Sequence, residues 1–148
     1  MIQPEKIDLG IFPTRILHYP QLGDEMGINL FIKNEYESDV LGSGNKVRKL
    51  EYLLHTVKEE GHSAVILAGI IQSNCCMAVS HYAPLVGLSA EIILVGTPTF
   101  KGNHLQTVLS GARITYLAAW DENAIEQLKS EFFHKKRLRK EFLIIYVL

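Results

Sequence analysis

Cysteine, excess charge and long apolar runs are all scarce in this chain of 148 residues. The 2 cysteines are neighbours, Cys75 and Cys76, a spacing that suits neither an ordinary disulfide nor a zinc clip, so we expect them to fill a buried helix. The 15 basic and 16 acidic residues give a formal net charge of -1, which creates no overall field that would gather nucleic acid. No apolar run approaches a bilayer span, and the start MIQPEKIDLG lacks the order of a secretory signal. These absences predict a cytoplasmic protein that binds neither nucleic acid nor a membrane.

Apolar residues make up 47% of the chain, which indicates a globular protein with room for one sizeable core. Their spacing predicts alternating elements. A strand is expected at 29–33 and a helix at 46–60 that ends at Gly61. Three further strands are expected, and each is followed by a helix. The strands lie at 64–67, 91–95 and 113–117, and the helices at about 73–86, 101–110 and 122–133. The alternation predicts an α/β fold, a parallel βαβ sheet with helices on both faces. Glycines and prolines predict mostly loop over 11–29.

Lys46 stands where the glycine loop Gly42-Ser43-Gly44 meets the start of a predicted helix. Cations suit the last turn of a helix, so this position disfavours the ammonium charge and favours a neutral amine, which is a nucleophile toward aldehydes. An exposed lysine at an ordinary helix start fits the spacing as well, and the loop lacks the spacing of a P-loop. The Ser43-x-x-Lys46 pair also occurs in penicillin-recognising enzymes, but their companion motifs are missing here and we discard it.

The loop 68–74 (AGIIQSN) follows a predicted strand, at the strand end where parallel α/β folds bind ligands. Ser73 or Asn74 would cap the next helix, and the same helix start could instead offer N–H groups to an anion. Both interpretations stay open.

Other polar residues favour structural interpretations. His81 lies on a mostly apolar predicted helix, which indicates a packed or edge histidine, and neither His18 nor His104 has partners at metal-ligand spacing. We therefore predict no metal site. The basic run at 135–140 (KKRLRK) is short and indicates a solvated helix end rather than a nucleic-acid patch.

Three segments, 30–33 (LFIK), 44–54 (GNKVRKLEYLL) and 68–74, together resemble the 1-aminocyclopropane-1-carboxylate (ACC) deaminase and D-cysteine desulfhydrase family. The resemblance extends more loosely from about 12 to about 117. It implies the fold type II architecture shared with the tryptophan synthase β subunit, the cofactor pyridoxal 5'-phosphate, and a lyase or deaminase reaction on a small amino acid through a lysine aldimine.

The same resemblance assigns roles to individual residues. Lys46 is similar in position to the Schiff-base lysine, and Lys49 to a second motif lysine near the cofactor phosphate. Asn74 matches the asparagine that contacts the pyridine hydroxyl. Ser73 and Gln72 match residues that line the substrate carboxylate site.

This chain departs from the family in three respects. Cys75 and Cys76 stand where family members commonly carry polar residues. Ile70 replaces a second glycine, and its β-branched side chain would crowd the substrate path. Family members are also much longer, so residues 1–45 are predicted to be the opening strands and loops of an incomplete large domain, and 46–148 a small βαβ domain with a truncated end. The final run EFLIIYVL would be a sheet strand or a frameshifted tail.

The absent half would hold the glycine-rich phosphate loop, the partner of the pyridine nitrogen and the family's tyrosines. Two interpretations remain open for function. The chain acts as a deaminase or desulfhydrase, alone, as a homodimer or with a complementing C-terminal polypeptide. Alternatively, it is a truncated fragment without catalysis.

Overall fold

The computed structural model describes residues 4–135 and 142–146, and its N-terminal part forms a small antiparallel sheet. Strands β1 (Ile16–His18) and β2 (Phe31–Lys33) pair, with helix α1 (Pro20–Met26) between them in the chain and a 3-10 helix (Glu35–Ser38) after them. The region 11–29 was predicted as mostly loop with short elements, and β1 and α1 are those elements. Strand β2 lies inside the predicted 29–33.

A four-stranded parallel sheet forms the centre of the described structure, in the order β5-β4-β3-β6. Its strands are β3 (Ala64–Ile70), β4 (Ser89–Val95), β5 (Arg113–Leu117) and β6 (Phe142–Tyr146). The helices are α2 (Lys46–Glu59), α3 (Asn74–Leu85), α4 (Gly102–Leu109) and α5 (Glu122–Lys135). The strand order reverses at β3, since β4 and β5 lie on one side of it and β6 on the other. Parallel sheets bind ligands at such a reversal, beyond the carboxyl ends of the strands.

Helices cover both faces of this sheet, as predicted. Val65 and Leu67 of β3 are fully buried against α2 and α3, whereas Ile66 between them packs with Ile125 of α5 on the opposite face. Alternate residues of a strand point to opposite faces, so a strand buried on both sides must be apolar throughout. The run 64–68 (AVILA) meets that requirement.

The structure extends two predicted strands. Strand β3 continues to Ile70, because residues up to Ile70 pair in register with β4 as far as Val95, and β4 begins at Ser89 rather than at residue 91. The apolar tail contributes β6, which pairs in parallel with β3, so the strand interpretation is confirmed for 142–146. Most of the basic run at 135–140 lies outside the described residues, and the predicted domain boundary after residue 45 stays a prediction. Among the described helices, none has both the length and the apolar character needed to cross a membrane.

Glu51 of α2 fastens the N-terminal segment to the rest of the structure. Its carboxylate is 2% exposed and accepts hydrogen bonds from Lys6 Nζ (2.7 Å) and from the backbone N–H groups of Leu9 and Gly10 (both 3.1 Å). Burial alone would raise the pKa of Glu51. The Lys6 hydrogen bond and the two N–H donors outweigh burial, so the pKa is lowered from its usual 4.5.

We expect Glu51→Gln to destabilise the protein by about 1.5 kcal/mol near neutral pH, because an amide cannot accept all three hydrogen bonds as a carboxylate does. A lowered folded pKa means that the stabilisation is present above the unfolded value of 4.5 and is lost as pH falls through the folded pKa. The stability gap between wild type and variant should therefore close in acid. Urea unfolding at several pH values measures this, with the exposed Glu59→Gln on the same helix as control. A gap that stays constant below pH 4.5 would contradict the assignment.

Candidate functional site

The loop that leads into α2 depends on two glycines. Gly42 and Gly44 have φ angles of 66° and 64°, in the left-handed region that glycine adopts without strain. Ser38 Oγ donates a hydrogen bond to the Gly44 carbonyl at 2.7 Å. The Gly-Ser-Gly sequence is thus explained by backbone geometry that positions Lys46 at the start of the helix.

The buried side chain of Asp39 stabilises the same loop by hydrogen bonds. Its buried carboxylate accepts hydrogen bonds from the Ser43 N–H (2.9 Å), the Ser43 hydroxyl and the Tyr82 hydroxyl (3.1 Å). Burial and the negative charge of Asp39 both raise the pKa of Tyr82. Because the Ser43 hydroxyl donates to Asp39, it is committed to the loop, which agrees with discarding a serine-lysine catalytic pair.

The residues after Lys46 divide between the core and the N-terminal segment. Val47 is fully buried, whereas Arg48 makes a two-point ion pair with Glu35 (2.5 and 3.0 Å) and lies 4.0 Å from the centre of the Phe12 ring. Lys46 itself is half-buried, and its Nζ donates to Asn45 Oδ1 at 3.2 Å. The helix is therefore anchored by its other residues and leaves the Lys46 amine at the surface of a cleft.

That cleft has a volume of about 450 Å³ and lies beyond the carboxyl end of β3. The structure brings four of the five predicted site residues to it. Its lining consists of Lys46, Ile70, Gln72, Ser73, Asn74, Cys75 and Trp120. Lys49 does not line the cleft and is exposed one turn further along α2. Ile70 lines the cleft and is 63% exposed, and its crowding of the substrate path stays a prediction.

The two cysteines are buried in the first turn of α3, as predicted. Burial raises the pKa of the Cys75 thiol, and the charges of Lys46 and Lys49 offset part of that rise. Burial raises the pKa of Cys76 to about 12. Both thiols are therefore neutral near pH 7 and poor nucleophiles.

Ser73 is the N-cap of α3, which confirms the capping interpretation. Its Oγ accepts a hydrogen bond from the Cys76 N–H at 3.2 Å. The chain turns so tightly that a Cβ on Gly69 would lie 2.6 Å from Cys76 Sγ and 3.2 Å from Ser73 Cβ. Gly69 is thus required by close packing.

The side-chain amide of Gln72 is engaged by the loop after β4. Its Nε2 donates to Thr99 Oγ1 (2.8 Å) and to the Lys101 carbonyl (3.1 Å), and its Oε1 accepts from the Asn103 N–H (3.0 Å). Asn103 Nδ2 in turn donates to the Gln72 carbonyl (2.9 Å) and to Asn74 Oδ1. The loop 68–74 and the segment after β4 are therefore linked by hydrogen bonds. The predicted substrate role of Gln72 stays a prediction.

Sequence reasoning missed Asn103, Trp120 and Asp39. Asn103 follows β4, the neighbour of β3, and the carboxyl ends of parallel strands meet at one edge, so that rule could have identified its loop. Trp120 follows β5 and is the single tryptophan of the sequence. Asp39 gave no signal beyond its proximity to the glycine loop.

The histidines have structural partners. Fully buried His104 accepts the Phe100 N–H at Nδ1 (2.9 Å), and its Nε2 lies 2.8 Å from the Tyr116 hydroxyl. His81 is half-buried and packs edge-on against Tyr82, which agrees with the predicted packed or edge histidine. Within residues 4–135 and 142–146, no group of three or more His, Cys, Asp or Glu side chains is placed to hold a metal ion.

Comparison with known proteins agrees with the family indicated by the motifs. The family model for pyridoxal-phosphate dependent enzymes matches residues 7–141. A putative ACC deaminase of Thermotoga maritima is 32% identical over 144 residues, and the match covers 97% of this chain and 46% of the relative. A D-cysteine desulfhydrase of Klebsiella pneumoniae is 37% identical over 89 residues, and the match covers 60% of this chain and 27% of that relative. The solved structure of an ACC deaminase homologue has a TM-score of 0.85 at 29% identity, covering 97% of this chain and 45% of that protein.

The chain thus spans less than half the length of these relatives. The matched region nevertheless includes both loops that form the cleft and every predicted site residue. The chain belongs to the pyridoxal-phosphate dependent enzyme family, with the fold type II architecture of its relatives.

Proposed function

We propose that the chain binds pyridoxal 5'-phosphate at Lys46 and provides part of the active site of a deaminase or desulfhydrase of small amino acids. The observation that carries this proposal is the shared cleft. Lys46 reaches it from the start of α2, and Ser73 and Asn74 reach it from the start of α3, 27 and 28 positions later in the printed sequence. The names of the relatives, ACC deaminase and D-cysteine desulfhydrase, give the substrate class.

The residues present fit such a cofactor. A primary amine is what an aldehyde requires, and the Lys46 amine is tethered in the cleft by one exposed hydrogen bond to Asn45. The first turn of α3 presents backbone N–H groups, which suit an anionic oxygen. Trp120 adds an aromatic surface to the lining. Lys49 lies one turn after Lys46 on the same helix, and its charge lowers the pKa of Cys75, so we assign it to the phosphate side.

Each residue then has a physical task. Lys46 would hold the cofactor through its amine, and the same amine would move a proton at the substrate α carbon or its neighbour. The N–H groups of Asn74 and Cys75 hold the substrate carboxylate, which fixes the orientation of the bond to be broken. Asn74 would hold the cofactor at its hydroxyl oxygen. The bound cofactor supplies the electron sink for charge that develops on the substrate.

The proposal is tested by titrating the purified chain with pyridoxal phosphate. We expect an absorbance band distinct from that of free cofactor, a mass increase after borohydride reduction, and the label on the peptide that contains Lys46. A spectrum identical to free cofactor, with no added mass, would refute it. Assays of ammonia release from ACC and sulfide release from D-cysteine then separate an active protein from the alternative, a cofactor-binding fragment without catalysis.

Exposed apolar side chains on the N-terminal sheet support a proposal about a binding partner. The proposed partner is a polypeptide equivalent to the portion of the relatives that lies beyond the match. Ile16 and Phe31 lie on one face of this sheet and are 63% and 56% exposed. Apolar patches on small proteins mark interaction surfaces. Because the chain covers 46% of the Thermotoga relative, that relative has a further portion of chain that could occupy this face.

We expect the C-terminal portion of the Thermotoga protein, added in trans, to bind the chain through this face. Replacing both Ile16 and Phe31 with aspartate should weaken binding at least about tenfold, because two apolar side chains would no longer be buried. Leu109→Asp is the control, since Leu109 is 75% exposed on α4, outside the N-terminal sheet. Sedimentation velocity measures both, and a dimer of this chain alone, disrupted by the same substitutions, would assign the face to a second copy instead.

A further inference from the structure

Asn103, in the first turn of α4, connects the segment after β4 to the loop 68–74 that borders the cleft. Its Nδ2 donates to the Gln72 carbonyl at 2.9 Å and to Asn74 Oδ1, and its backbone N–H donates to Gln72 Oε1 at 3.0 Å. These partners lie 31 and 29 positions away in the chain. Both partners, Gln72 and Asn74, line the cleft.

The local fold fixes the position of Asn103. Gly102 before it has a φ of 51°, and a Cβ there would lie 2.9 Å from Gln72 Oε1. The backbone at Gly102 therefore lies too close to the Gln72 side chain to leave room for a larger residue. His104 after it is fully buried and hydrogen-bonded to Phe100 and Tyr116. The Asn103 carbonyl accepts the Thr107 hydroxyl at 2.8 Å.

The contacts also determine which end of each amide faces which partner. A carbonyl oxygen can only accept, so the bond to the Gln72 carbonyl requires the NH₂ group of Asn103 on that side. The same NH₂ group faces Asn74, which must therefore present its oxygen to Asn103. The NH₂ group of Asn74 is left as the end that faces away from Asn103.

We propose that Asn103 is a positioning residue that orients the Asn74 amide so that its NH₂ group, rather than its oxygen, is offered to the cleft. The orientation is a property of the chain itself. Its consequence for the cofactor rests on the proposed function, because an NH₂ donor suits the hydroxyl oxygen of pyridoxal phosphate whereas an amide oxygen would repel it.

Asn103→Asp tests the orientation, since it keeps the shape and replaces the donor by an acceptor. The new carboxylate cannot donate to Asn74 Oδ1, and the Asn74 amide should turn so that its NH₂ group bonds to it. Gln106→Glu is the matched control, because it makes the same change at an exposed position of α4.

The first measurement needs no cofactor and uses protein with ¹⁵N-labelled asparagine. In wild type, the side-chain NH₂ protons of Asn103 should exchange with water about tenfold more slowly than those of exposed Asn123, whereas those of Asn74 should exchange rapidly. In Asn103→Asp the Asn74 protons should become the slow ones. Rapid exchange at Asn103 in wild type, or unchanged Asn74 exchange in the variant, would overturn the proposal.

The second measurement follows pyridoxal phosphate binding by absorbance. Asn103→Asp should weaken binding about tenfold and shift the absorbance band, because the cofactor oxygen loses a donor and meets an acceptor. Gln106→Glu should change neither. If wild type shows the expected exchange pattern but no cofactor binding, the orientation stands and the proposed function fails. Equal affinities and identical bands in Asn103→Asp and wild type would refute the functional consequence.

Discussion

Replacing Lys46 with alanine is expected to abolish covalent attachment of pyridoxal phosphate completely. Among the residues that line the cleft in the described structure, Lys46 is the one with a primary amine. A Schiff base requires such an amine within bonding reach of the aldehyde, so its loss cannot be compensated by another lining side chain. Borohydride reduction followed by intact mass measurement should show the added cofactor mass in wild type and none in the variant.

The fold should survive this substitution. Lys46 contributes one exposed hydrogen bond to Asn45, whereas Val47 and Leu50 hold the same helix in the core. We expect a stability change within about 0.5 kcal/mol, as is usual for surface positions without buried partners. A melting temperature close to that of wild type would show that lost attachment is a chemical effect rather than unfolding.

Lys49→Ala provides the matched control on the same helix. Lys49 is exposed and lies outside the lining of the cleft, so covalent attachment should persist. Non-covalent affinity should fall by up to about tenfold if its charge helps to hold the phosphate. Reduction that labels Lys49 instead of Lys46, or equal labelling of Lys46→Ala and wild type, would contradict our assignment of the Schiff-base lysine.

The sequence was informative wherever local spacing determines structure. The helix at Lys46 begins where predicted because glycines with positive φ precede it and apolar residues at helical spacing, such as Leu50 and Leu54, follow. Ser73 could be identified as a cap because capping depends on the side chain of one residue and the backbone three residues later. Strand β5 was predicted with its observed bounds for the same local reason.

Long-range contacts were beyond such reasoning. The bond between Asn103 and Asn74 joins positions 29 apart, and the one between Tyr82 and Asp39 joins positions 43 apart. The spacing of apolar residues along the sequence carries no information about which loops meet at a sheet edge. The motif resemblance brought Lys46 and Asn74 into one hypothesis, and the shared cleft supports it, but the contact between Asn103 and Asn74 became visible only in three dimensions.

Gly69→Ala is the other substitution from which we expect a large effect, about 3 kcal/mol of lost stability, at the upper end of the range for overpacking a core. The added Cβ would lie 2.6 Å from Cys76 Sγ and 3.2 Å from both Cβ and Oγ of Ser73. Because Gly69 does not have a positive φ, backbone strain adds little and the cost is steric. Relief requires movement of the Ser73 cap, which should also weaken cofactor binding at the cleft.

A double-mutant cycle with Cys76→Ala isolates this clash. Removing the sulfur should cost about 1 kcal/mol alone, because it leaves a small cavity in a buried helix, but it vacates the space into which the new methyl group projects. The double variant should therefore be more stable than the sum of the single changes predicts, by at least about 1 kcal/mol. Urea unfolding of the four proteins gives the coupling energy. Strict additivity would show that Gly69 is required for some reason other than its contact with Cys76, whereas recovered stability with cofactor affinity still reduced would locate the remaining strain at Ser73.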